Sequence, residues 1–283
     1  MSSAILLLSC SDKEGIVAKI SDFIFKHRGN IEHADQHIDS QSKTLFMRIQ
    51  WALDDFSIPQ DKIAASFSPL AKHFKMQWSL HFSHKIPRVA IFVSKYTHCL
   101  YDLLLRWQEG QLNCDIPLIL SNHPDAANIA RHFDIRFQES PKNTYSKKKA
   151  EAKELELMKE EKIDVIVLAR YMQILSNNFV NHFSSRIINI HHSFLPAFIG
   201  KDPYDQAYRR GVKIIGATSH YVTKKLDEGP IIEQNTARIS HRDSVDDLKR
   251  KGKDLEKMVL SQALRWHLEH KILVYNNKTV IFD

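Results

Sequence analysis

At 283 residues and 43% hydrophobic content, the chain carries enough apolar mass for a core in each of two ordinary domains, which excludes a disordered or linker-like polypeptide. Its three cysteines, Cys10, Cys99 and Cys114, are odd in number and widely spaced, which excludes a disulfide framework or a paired-cysteine metal clip and points to a reducing, cytoplasmic setting. The net charge of +7 raises nucleic acid as a partner, but the dense run Lys147-Lys148-Lys149 leads into Glu151, Glu154, Glu156, Glu160 and Glu161 at helical spacing, the pattern of a solvated helix face, and no nucleic-acid-binding motif accompanies it.

Residues 4–9 are a strand candidate with no basic flank before them and far too few apolar residues to cross a membrane, so neither export nor membrane insertion is expected. After a turn at Asp12-Lys13-Glu14-Gly15, the spacing of Ile16, Ile20, Phe23 and Ile24 predicts a helix, closed by Gly29-Asn30. Residues 31–39 and 44–52 read as a hairpin, 62–72 as a second helix and 76–82 as a last strand. This order, strand, helix, strand, strand, helix, strand, is the split βαβ or ferredoxin-like arrangement. Pro87 marks the boundary, with a small domain expected at residues 1–84 and a larger one at 85–283.

Beyond the proline, short apolar runs at 89–93, 117–120, 165–168 and 187–190 alternate with helical segments at 100–107, 125–132 and 148–159, and an alternating run follows at 214–220. That pattern predicts an open, mostly parallel α/β sheet buried on both faces. A long helix at 245–270 and a hairpin at 272–282 end the chain, the hairpin being expected on the sheet domain. Ligands of such sheets bind at the carboxyl ends of the strands, so the segments after residues 93, 120, 168 and 190 are where chemistry is sought.

Asn189 and His191 alternate about Ile190 at the end of a buried strand, so their side chains leave one face together. An amide and an imidazole so placed can stabilise the oxyanion of a tetrahedral intermediate, each donor being worth roughly 3 kcal/mol. By spacing alone the pair equally suits a polar turn. Asp227, just before Glu228-Gly229-Pro230, stands where a tight turn can present a carboxylate, although an aspartate there more often bonds its own backbone. His220, at the end of the preceding strand, is either an orienting partner for Asp227 or a satisfied core histidine.

Together, Asn189-Ile190-His191-His192-Ser193-Phe194-Leu195-Pro196 and Asp227-Glu228-Gly229-Pro230-Ile231-Ile232 resemble the paired motifs of the formyltransferase family that uses 10-formyltetrahydrofolate. The resemblance implies that Asn189 and His191 stabilise the oxyanion and that Asp227 is the general acid and base. A carboxylate beside His191 would also favour its imidazolium form. It further implies that the folate is held by the loop after residue 168, through Met172, Gln173 and Leu175, and by Thr223 and Glu228.

The segment Val93-Ser94-Lys95-Tyr96-Thr97-His98-Cys99-Leu100 has no glycine, whereas family members that formylate a ribonucleotide cradle its phosphate in a glycine-rich loop there. Members that formylate a transfer RNA carry a large C-terminal domain, and only a helix and hairpin follow Asp243 here. Water is the acceptor that needs no docking site. Accordingly, Ser94-Lys95-Tyr96, His98-Cys99-Leu100-Tyr101-Asp102-Leu103-Leu104, Ile119-Leu120-Ser121-Asn122-His123-Pro124 and residues 189–196 with His192 are similar to the deformylase members of the family. That similarity implies hydrolysis of 10-formyltetrahydrofolate to formate and tetrahydrofolate, supplying formate for purine synthesis, with no metal and no permanently bound cofactor.

Gly15, Asn30 and Ala34-Asp35-Gln36-His37 extend the similarity into the front domain, which resembles an ACT domain. The resemblance implies a homo-oligomer and an amino-acid effector such as glycine or methionine. Its pocket would be shaped by Asp12, Gly15 and Ile16, where glycine permits close backbone approach. A purely oligomerising role is the alternative.

Overall fold

The apolar run at the N-terminus is buried on both of its faces. It forms β1 (Ser3–Ser11), where Ala4, Leu6 and Leu8 enter the core made with α1 (Ile16–Lys26), while Leu7 points the other way, so burial is continuous rather than alternating. These facts come from a computed structural model that describes residues 2–141, 147–197 and 203–283. In α1, Ile16, Ile20 and Ile24 recur every four residues and make the buried stripe. The chain continues through β2 (Ile31–Asp39), β3 (Thr44–Ala52), α2 (Gln60–His73) and β4 (Gln77–Phe82). The strands pair in the order β2-β3-β1-β4, all antiparallel.

The helix end differs from expectation. Arg28, not Gly29, takes the left-handed backbone (φ 61), and Gly29 is needed for space: a Cβ there would lie 2.5 Å from Ile24 Cγ2.

The second sheet contains β5 (Arg88–Val93), β6 (Asp115–Ser121), β7 (Arg136–Glu139), β8 (Val165–Ala169), β9 (Ile187–His191), β10 (Ile214–Tyr221) and β11 (Ile231–Arg238). Among the described residues its order is β11-β10-β9-β8-β5-β6-β7, parallel from β9 to β7 and antiparallel at β10 and β11. The helices are α3 (His98–Gln108), α4 (Ala127–His132), α5 (Lys147–Glu160), α6 (Asn177–His182), α7 (Pro203–Arg210) and α8 (Val245–Leu268). Of these elements β7, α6 and α7 escape the sequence reading, because four to eight residues are too few for a period to show. The face of α5 is not wholly solvated as expected: Glu151 and Glu154 are buried, with Glu151 accepting from Ser176 N and Glu154 from Ser140 Oγ, so they tie loops to the helix.

The chain divides into one unit of Met1–Ile86, Glu269–Tyr275 and Val280–Asp283, and another of Pro87–Leu268 and Asn276–Thr279. The terminal hairpin, β12 (Ile272–Tyr275) and β13 (Lys278–Ile281), was expected on the larger sheet. Instead Leu273 and Phe282 pack with Leu7 and Phe46 in the first unit, covering the second apolar face of its sheet. Among the described residues, no helix is long and apolar enough to cross a membrane.

Candidate active site

Strand pairing sets the site. Antiparallel register between β9 and β10 places Thr218 opposite His191 and His220 opposite Asn189. Asn189 Nδ2 lies 3.2 Å from His220 Nε2, and His220 Nδ1 donates to Tyr221 O at 3.0 Å. A neutral His220 ring therefore accepts from the Asn189 amide, while a protonated one donates to Asp227 Oδ1, 3.5 Å away. His220 Nε2 thus lies within reach of both the amide and the carboxylate.

After β10 the chain doubles back, with Tyr221 N donating to Pro230 O and Val222 N to Ile187 O. The return brings Asp227, with a left-handed backbone (φ 56), to the two imidazoles. Gly229 makes the return possible, since a Cβ on it would sit 1.7 Å from Tyr221 O. Asn277 Nδ2 donates to Glu228 O and steadies the same turn.

The Asp227 carboxylate lies 3.3 Å from His191 Nδ1. Burial works to raise its pKa, and contacts with His191 and His220 outweigh burial and hold the carboxyl well below the usual range. His191 is 6% exposed, and its Nε2 is buried with no hydrogen-bond partner. A buried ring nitrogen with no partner in the protein is suited to a group that arrives with substrate. With Nδ1 turned to Asp227, an imidazolium presents Nε2–H outward, beside the free hydrogen of the Asn189 amide. The loop after β9 is fixed by Thr218 Oγ1, which donates to Ser193 O and accepts from Leu195 N and Gln234 Nε2.

The other expected positions are distributed unevenly. Met172 is exposed, its N–H donating to Ser94 Oγ, and Ser94 in turn donates to Asn122, so one serine links the loops after β5, β6 and β8. Gln173 is half-buried. Leu175 packs in the core beside Tyr171 and Phe179, which leaves its backbone rather than its side chain for a ligand. Thr223 Oγ1 donates to Lys225 O, and Glu228 is exposed and paired with Lys225. In the first unit, Asp12 N donates to Lys43 O and Gly15 caps α1 with φ 83, but the Ile16 side chain is in the core and offers an effector only its backbone.

Sequence reasoning missed Arg170, Tyr204 and Glu256. The buried Glu256 carboxylate meets His98 Nε2 at 2.8 Å, accepts from Tyr204 Oη at 2.7 Å and lies 3.4 Å from Arg170 Nε. Burial would raise its pKa, and His98 and Arg170 hold it down instead. His98, Cys99 and Glu256 could offer ligand atoms to a metal, yet the carboxylate is already engaged by Arg170, His98 and Tyr204 and burial pushes the Cys99 thiol far up.

The formyl transferase family profile matches residues 87–264. The formyltetrahydrofolate deformylase of Synechocystis is 54% identical over 99% of this chain and 98% of its own, and that of Bacillus subtilis 47% identical over 98% and 93%. The crystal structure of a formyltetrahydrofolate deformylase from Pseudomonas syringae superposes with a TM-score of 0.97 at 46% identity, covering 100% of this chain and 95% of that one. The crystal structure of a glycinamide ribonucleotide transformylase from Symbiobacterium toebii superposes with a TM-score of 0.67 at 28% identity, covering 72% of this chain and 98% of that one. With matches spanning nearly its whole length, the chain belongs to the formyltetrahydrofolate deformylase family and carries that family's formyl transferase domain.

Proposed function

We propose that the chain hydrolyses 10-formyltetrahydrofolate to formate and tetrahydrofolate through Asn189, His191 and Asp227. Asp227 takes a proton from water as its oxygen bonds to the formyl carbon. The carbonyl oxygen becomes an oxyanion held by the Asn189 amide and the His191 Nε2–H. Asp227 then returns the proton to N10 of the folate as the oxyanion collapses and the carbon–nitrogen bond breaks, so the carboxylate ends as it began. The formic acid formed gives its remaining acidic proton to solvent to become formate. The observation carrying this reading is the buried, unpartnered His191 Nε2 on a ring whose other nitrogen faces Asp227 at 3.3 Å. His220 acts through its neighbours as a positioning residue.

The folate would lie along the loop of Met172, Gln173 and Leu175 and the turn of Thr223 and Glu228, with no other cofactor required. Water as acceptor is favoured by the glycine-free segment after β5 and by Arg170 and Glu256, which occupy the neighbouring space with charge. The strand order of the first unit fits a ferredoxin-like ACT domain, and we assign it an amino-acid effector and a part in self-association, with Asp12 and Gly15 at the effector turn. Three buried free thiols suit the cytoplasm. The test is direct: the purified protein given 10-formyltetrahydrofolate and no amine releases formate and tetrahydrofolate in equal amounts. A strict requirement for an amine acceptor would return the chain to the transferases.

A further inference from the structure

Behind His192, whose ring centroid is 5.4 Å from that of His191, lies a cavity of about 370 Å³ with Arg170 in its wall. Arg170 has a left-handed backbone (φ 61), a conformation that costs a long side chain on the order of 1 kcal/mol and persists where it aims the side chain. Its guanidinium stacks over the Tyr96 ring at 5.2 Å. The residue is only 8% exposed, yet Nε and Nη1 make no hydrogen bond.

Glu256 Oε2 lies 3.4 Å from Arg170 Nε and offsets part of that charge, but the carboxylate is shared with Tyr204 and His98 and does not reach Nη1. Gly252 makes room for this arrangement, since a Cβ there would lie 2.0 Å from Tyr204 Oη. Nearer the mouth, Asp205 and Asp246 flank Lys249 at 4.0 and 3.9 Å, and Arg250 pairs with Asp247. Lys253, exposed at the rim, has no partner among the described residues. Arg170 Nη1, buried without a hydrogen bond, and the Lys253 ammonium are the donors of the wall that no carboxylate meets. A small oxyanion supplies what they lack.

The reaction makes such an anion where none was before. A neutral formyl amide becomes formate beside the Asp227 carboxylate, which repels it. The near wall adds no competing charge, because burial and the field of Arg170 push the His192 imidazole down to about 3. We propose that this cavity binds the formate product, with Arg170 as its anchor and Lys253 at its rim, and so draws the carboxylate away from Asp227. The proposal rests on the hydrolytic reading above.

Two measurements on the full chain test it: inhibition of turnover by added formate at constant ionic strength, and broadening of the ¹³C-formate resonance by protein without folate. Formate inhibits and is broadened with the parent protein. Arg170→Gln raises the formate inhibition constant about tenfold or more, Arg170→Lys recovers part of the loss, and the surface change Lys253→Glu raises it severalfold. Equal inhibition and broadening in all four proteins, or neither in the parent, overturns the proposal. So does displacement of formate by inorganic phosphate at much lower concentration, which would make this a phosphate site. Absence of turnover would defeat the hydrolytic reading alone, and the resonance measurement would judge the cavity by itself.

Discussion

Gly229→Ala tests whether the site depends on the return of the chain after β10. Gly229 is not in the left-handed region, so an alanine is refused by space and not by backbone conformation. Its Cβ would lie 1.7 Å from Tyr221 O, and contacts under 3.0 Å essentially never occur, so the turn must open by at least about 1.3 Å. Opening also pulls against the bond from Tyr221 N to Pro230 O. Asp227 is two residues away, and its 3.3 Å contact with His191 does not survive a displacement of that size. A misplacement of about 1 Å at a catalytic group costs on the order of 100-fold in rate, or about 2.7 kcal/mol of barrier. Overpacking adds about 1–3 kcal/mol of destabilisation. Formate release should therefore show kcat reduced about 100-fold, KM changed much less and a lowered Tm. Gly15→Ala is the control: its Cβ meets nothing within 4 Å but its φ of 83 is strained, so Tm falls and kcat holds. A Gly229→Ala protein with parental kcat and Tm would refute the argument.

Asp227→Asn should cut kcat by about 10²–10⁴, measured as formate release from a protein whose circular dichroism is unchanged, because shape is kept and the proton acceptor is lost. Asn189→Ala should cost about 10²–10³ in kcat as one oxyanion donor disappears, with little change in KM. The depressed Asp227 carboxyl stabilises the fold fully above its unfolded value of about 4 and loses that contribution as pH falls through its folded value. The Tm difference between parent and Asp227→Asn should thus hold from neutral pH down to about 4 and close only below; closure between about pH 7 and 5 would mean the carboxyl is not held down by its partners. Light scattering should report an assembly of more than one chain, and glycine or methionine should change the rate of formate release; a monomer indifferent to both would remove the effector role of the first unit.

What could be read from sequence follows from how local each signal is. Asn189 and His191 are legible because strand period alone puts them on one face, and the sheet end where they stand is where such folds bind ligands. Asp227 needed the family resemblance, since turn statistics favour a local role and only the return over β10 brings it to His191. Glu256 was invisible: it lies in a charged stretch of α8 that reads as solvated, and it is buried because His98, Arg170 and Tyr204 arrive from three other segments. Glu151 and Glu154 misled in the same way, as composition records charge but not whether a loop's N–H or hydroxyl waits beside it. The hairpin was misplaced because two short apolar strands suit any sheet, and the uncovered face behind Leu7 and Phe46 exists only once β1 and β3 have paired.

The change from parallel to antiparallel pairing at β10 explains why this sheet can build the site at all. Strands β5, β6, β8 and β9 all run one way, so side chains at their ends converge on one crevice from below. An amide and an imidazole can be delivered like that, as Asn189 and His191 are. A carboxylate that must face the second nitrogen of that imidazole has to come from another direction. Antiparallel β10 sets His220 beside Asn189 and then sends the chain back, so one turn carries Asp227 to within reach of both imidazoles. Gly229 keeps that turn closed. The chemistry therefore depends less on any loop sequence by itself than on one reversed strand and the single residue without a side chain that lets its exit fold flat.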